Sequence, residues 1–84
     1  MPTNILTISA LGLATLTEAE STFSFYWYEE TPHEVEVRDS LGLIIDTLPL
    51  VYGEGPLQSY ITVVAEEFVA ERGLHISDFN IDWE

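Results

Sequence analysis

The sequence predicts an α+β fold: a small antiparallel sheet of about four or five strands, with one amphipathic helix packed on one face and a C-terminal strand. Apolar residues recur at helical spacing over about 56–72, several earlier stretches alternate polar and apolar residues, and the chain ends on another alternating stretch. At 84 residues, the chain is expected to form a single domain over 1–84.

The helix has the clearest signals for its start, its buried face and its end. Pro56 suits a helix start, and Gly73 is the residue type preferred just after a helix end. Glu66, Glu67 and Glu71 fall on the opposite, polar face. The residues expected to face the sheet are Leu57, Tyr60, Ile61, Val64, Ala65 and Phe68.

The strands are predicted from β-prone residues and alternation. The first covers Ile5–Ser9 and is expected to continue past Gly12, with a turn at 18–20 rather than a short helix before the next strand. That second strand, 21–29, carries aromatic residues on both faces, as a central strand or a binding strand would. The remaining predicted segments are a strand at 33–38, a turn at 39–42, a returning strand at 43–46, an irregular stretch at 47–55 and a last strand after Ile76.

The charge is the most unusual property of the sequence. Fifteen acidic residues stand against two arginines and no lysine, for a net charge of −13. This charge repels nucleic acids and anionic membranes and attracts basic proteins. We therefore expect a basic protein as partner, specifically a nucleic-acid-binding one, and no direct contact with nucleic acid or membrane.

Localisation is predicted from what the sequence lacks. The chain has no cysteine, which removes disulfides, thiol nucleophiles and thiolate metal sites. The N-terminal residues lack the positive segment of a secretory signal, and no apolar run reaches the ~20 residues of a membrane span. We expect a soluble cytoplasmic protein.

Catalytic and cofactor signatures are weak, so we expect neither an enzyme nor a cofactor. His75 and Asp78 could be drawn as an acid–base or metal pair, but the simpler interpretation is that His75 is an ordinary residue between the helix and the last strand. The glycines around Glu54 do not form a phosphate loop, because the glutamate would repel phosphate. Asp78 and Asp82 have part of a calcium-loop spacing, but no glycine turn follows them.

The spacing of the carboxylates is the sharper signal. Residues i and i+2 of a strand point the same way, about 6.6 Å apart, similar to successive phosphates along DNA. Like charges this close cost stability, and such a local conflict is expected where a surface serves a partner. The residues expected to contact the partner are Glu34, Glu36, Glu66, Glu67, Glu71, Asp78 and Asp82, with Tyr26 and Tyr28 as anchors.

The leading hypothesis is a non-enzymatic nucleic-acid mimic that blocks a basic nucleic-acid-binding protein. In charge and size alone, the chain resembles the small acidic inhibitors that phages use against restriction or CRISPR systems, so no residue role carries over. The alternative is a small oligomeric assembly protein, such as a virion accessory subunit, held together through the aromatic strand. Adaptation of the surface to a high-salt cytoplasm is also left open by the sequence.

Overall fold

The α+β prediction is confirmed by a computed structural model, which describes residues 2–10, 22–51 and 53–84. Five strands and one helix occur within these ranges, together with a single 3₁₀ turn. In chain order, they are β1 (Pro2–Ala10), β2 (Thr22–Tyr28), β3 (Glu34–Arg38), β4 (Ile44–Pro49), α1 (Leu57–Ala70), the 3₁₀ turn (Ile76–Asp78) and β5 (Phe79–Trp83).

The described strands form one antiparallel sheet in the order β4-β3-β2-β1-β5. The C-terminal strand therefore returns beside the first strand and leaves β4 at the opposite edge. Leu6 and Val37 both lie directly across from Phe25, so their side chains share one face of the sheet. Because side chains alternate along each strand, this register sets the composition of both faces.

The helix covers the apolar face. Phe68 lies at the centre of the core, with its ring edge-on to Phe23 at 5.0 Å and to Phe25 at 5.5 Å between ring centroids. Such contacts add to the stabilisation from burial alone. The buried core consists of Leu6, Ile8, Phe23, Phe25, Trp27, Val35, Val37, Leu50, Ile61, Ala65, Phe68, Val69 and Phe79.

Both ends of α1 lie within a few residues of their predicted positions. Pro56 is the residue just before the helix, with ψ of 132°, rather than part of its first turn. At the other end, Gly73 adopts a φ of +75°, and the N–H of Leu74 donates to the carbonyl of Val69 at 2.9 Å. This left-handed glycine closes the helix and turns the chain toward β5.

Gly73 provides a prediction about stability. Replacing it with alanine should lower the free energy of unfolding by about 1–2 kcal/mol, because a Cβ is strained at this positive φ. No atom lies within 4 Å of the added Cβ, so the backbone strain is the dominant cost. Urea titration checks this, with Gly53→Ala, which has no positive φ, as the matched control. Equal midpoints for the two variants would contradict the prediction.

Two predicted segments are corrected by the structure. Residues 47–49 were expected to be irregular, but β4 runs through them to Pro49. The N–H of Leu50 donates to the carbonyl of His33, just before β3, so the nitrogen of the preceding Pro49 points away from β3. The missing N–H of Pro49 therefore removes no hydrogen bond between β3 and β4. Asp78 lies in the 3₁₀ turn rather than in the last strand. The predicted continuation past Gly12 and the turn at 18–20 lie outside the described residues.

Candidate protein-binding face

The helix covers one face of the sheet, and the side chains on the other face alternate with the buried ones. We call this second surface the open face. Its rows follow from the register, which places Tyr26 across from Glu36, and Thr7 across from Asp82. The open face comprises Ile5, Thr7, Ser9, Thr22, Ser24, Tyr26, Tyr28, Glu34, Glu36, Arg38, Ile44, Thr47, Pro49, Asn80 and Asp82.

Four side chains form a connected cluster on the open face. The guanidinium of Arg38 lies 4.4 Å from the ring centroid of Tyr26 and donates from Nε to Glu36 Oε1 at 2.7 Å. Arg38 Nη2 donates to the hydroxyl of Tyr28 at 3.3 Å, and that hydroxyl donates in turn to Glu36 Oε1 at 3.4 Å. The two tyrosine rings are stacked, with centroids 6.4 Å apart. The structure therefore brings together three of the predicted residues and adds Arg38.

The positive charge of Arg38 is balanced within this cluster. The Nη2–Oε1 separation from Glu36 is 2.6 Å, and the two side chains are 30% and 22% exposed. The hydrogen bond to Glu36 is the main cause that raises the pKa of Arg38. Among the described residues of the open face, Arg38 is the only basic one, so the net field of this face remains negative.

Two more predicted carboxylates lie on the same face. Glu34 is exposed at the start of β3, two residues before Glu36, and Asp82 is exposed on the edge strand β5. Between β5 and β3, the hydroxyls of Thr7 and Ser24 lie 3.4 Å apart. Carboxylates therefore lie toward both sides of the open face, with tyrosine rings and hydroxyl groups between them.

The predicted helix acids lie on the other layer of the molecule. Glu66 and Glu67 border a shallow depression of about 350 Å³ that also contacts Leu74 and His75. Glu71 and Glu67 border a second depression of about 200 Å³ beside β4. Because α1 packs on the face opposite the open face, the structure does not bring these acids together with Glu34 and Glu36.

The second arginine is also held by the fold. Arg72 lies over the ring of Phe68, 3.6 Å from its centroid, and donates to the carbonyl of Phe68 at 3.3 Å. Arg72 follows the helix, where a cation also interacts favourably with the helix dipole. Both arginines of the chain therefore interact with aromatic rings of their own molecule.

The sequence analysis missed an exposed apolar surface at the turn between β3 and β4. Leu41, Leu43, Ile44 and Ile45, which we call the apolar tip, are 71%, 61%, 58% and 42% exposed. The run of aliphatic residues without alternation in 43–45 was the available signal, since a one-sided strand alternates. Ile44 lies across from Arg38, so the apolar tip continues the open face at its edge.

The described residues give no group of three or more His, Asp or Glu side chains arranged to hold a metal ion. Over the same residues, no helix has the length and apolar character needed to cross a membrane. The open face itself carries carboxylates, phenol groups and one internally paired guanidinium.

Comparison with known proteins gives no family for this chain: it matches no family model, no curated protein and no solved structure.

Proposed function

We propose that this chain is a non-enzymatic acidic binding protein that occupies the basic surface of a nucleic-acid-binding protein and blocks it, in the manner of phage anti-restriction or anti-CRISPR inhibitors. The open face carries the proposal. It combines the exposed carboxylates of Glu34 and Asp82 with the half-buried rings of Tyr26 and Tyr28. Tyrosine is one of the residue types enriched among those that dominate the binding energy of protein interfaces.

The electrostatics support a basic target. A net charge of −13 on 84 residues gives long-range attraction to a basic surface, and this attraction raises association rates. Arg38 on the open face is already paired with Glu36, so its positive charge repels a partner's cations only weakly. The remaining carboxylates would bind the partner's lysines and arginines, and they would take the places that DNA or RNA phosphates otherwise occupy on the partner.

A second candidate function is supported by the apolar tip. The four exposed aliphatic side chains of this segment would form one part of the contact between copies in a small assembly protein. Salt distinguishes the two functions, because it weakens contacts between charges and preserves or strengthens apolar contacts.

A tagged pull-down from the native host tests the proposal. The bound fraction is washed with graded NaCl, challenged with added DNA or RNA, and identified by mass spectrometry. We expect a basic nucleic-acid-binding protein that is released as the salt concentration rises and is displaced by nucleic acid. Recovery of only the chain itself, or of a structural assembly that salt does not release, would favour the assembly function instead.

A further inference from the structure

The apolar tip is held in a fixed shape by the residue at its base. The carboxylate of Asp39 accepts hydrogen bonds from the N–H groups of Leu41 at 2.9 Å and Leu43 at 3.1 Å. The backbone of Asp39 donates to the carbonyl of Leu43 and accepts from Gly42, both at 3.0 Å. These four bonds fix the turn while its aliphatic side chains remain in water, so little ordering entropy is lost if they enter a pocket.

The neighbouring backbone is poorly suited to pairing with another strand. The N–H of Thr47 donates to the carboxylate of Asp46 at 2.8 Å, and Pro49 has no N–H. The β3–β4 register also shifts between Val37 and Arg38. Proline, charge and bulges are devices that protect edge strands from pairing. Recognition at this edge must therefore use side chains rather than an added strand.

A second copy of the chain fits the apolar tip poorly. Four aliphatic side chains expose on the order of a few hundred Å², less than the roughly 800 Å² per partner of a stable interface. Contact between two tips would also bring together two chains that each carry a charge of −13, so charge repulsion opposes it. A basic partner meets neither obstacle, because the open face adds contact area and attraction beside Ile44.

We infer that the apolar tip inserts Leu41 and Leu43 into an apolar cleft of the basic partner, next to the basic surface that the open face covers. This inference rests on the proposed function and adds to it a second, uncharged point of contact. The partner it specifies is a basic protein whose nucleic-acid-binding surface borders an aliphatic or aromatic pocket. The charges direct the approach, and the buried leucines slow dissociation.

The test uses the double variant Leu41→Ser/Leu43→Ser and the partner purified from the pull-down. Dissociation constants are measured by titration calorimetry at several NaCl concentrations. We expect binding about tenfold weaker or more at every concentration, with an unchanged dependence of log Kd on log salt concentration, because buried apolar area is lost and no charge is changed. Val51→Ser/Val63→Ser, at two exposed valines outside the tip, is the matched control and should bind like the unmodified chain.

Poly-L-lysine serves as a probe without an apolar cleft, and the tip variant should bind it as the unmodified chain does. Weaker binding of poly-L-lysine, or equal binding of the partner by the tip variant and the unmodified chain, would overturn the inference and leave the proposed function standing. Failure to recover any basic partner would overturn both. Sedimentation equilibrium gives the remaining test: a dimer that the tip variant dissociates would assign the tip to a second copy.

Discussion

Replacing Phe68 with alanine is expected to lower the free energy of unfolding by about 3–5 kcal/mol, the range for deleting a large buried aromatic side chain. The ring is 2% exposed and packs edge-on against both Phe23 and Phe25. It also carries the guanidinium of Arg72 on its face. The alanine variant therefore loses buried apolar area, two contacts between aromatic rings and the ring on which the Arg72 guanidinium packs.

A loss of this size is a large part of the total stability of a small domain, which is about 5–15 kcal/mol. Urea unfolding followed by tryptophan fluorescence measures it. Phe68→Leu keeps most of the volume and should lose clearly less, and Val63→Ala, on the exposed side of the same helix, should stay within about 0.5 kcal/mol of the unmodified chain. A Phe68→Ala protein as stable as Val63→Ala would show that α1 does not pack through this residue.

Reversing three charges of the open face is expected to have the largest effect on binding. In Glu34→Lys/Glu36→Lys/Asp82→Lys, the two exposed acids and the acid that pairs with Arg38 all become cations. Cations placed against a partner's cations cost several kcal/mol in an interface. We expect affinity for the basic partner to fall by on the order of 100-fold or more at low salt. None of the three side chains belongs to the buried core, so the circular dichroism spectrum should remain that of the folded chain.

The helix supplies a matched control with the same change in net charge. Glu66→Lys/Glu67→Lys/Glu71→Lys alters three exposed acids on the layer opposite the open face. If the open face is the contact surface, this variant should lose much less affinity, with only the long-range part of the attraction reduced. Equal losses in the two variants would show that net charge alone drives binding, and a larger loss for the helix variant would move the contact surface to α1.

The architecture was predictable because local signals agreed with one another. The helical spacing around Ile61 and Phe68, and the glycine at 73, indicated α1, which the structure places at Leu57–Ala70. Alternation places Phe23, Phe25 and Trp27 on one face of β2, and all three are buried in the structure. Such patterns arise from the periods of helices and strands, so they can be recognised before the fold is known.

The composition of the candidate site was less predictable. Spacing along a strand correctly placed Glu34 and Glu36 on one face, but it could not show that α1 lies on the opposite face and separates Glu67 from them. The contact between Arg38 and Tyr26 depends on the pairing of β3 with β2. Exposure of the apolar tip depends on β4 being an edge strand, and strand order is not encoded in local spacing.

The protected edge of β4 has a consequence for how this chain behaves at high local concentration. Aliphatic side chains beside a bare strand edge are a common origin of fibre growth, since each added chain offers its own edge to the next. Here the amide of Thr47 is occupied by a carboxylate and Pro49 offers none, so this edge of the sheet is a poor template for an added strand. A partner can therefore bind the side chains near Leu43 without adding a strand to β4. Such a contact does not lead to the growth of a fibre from this edge.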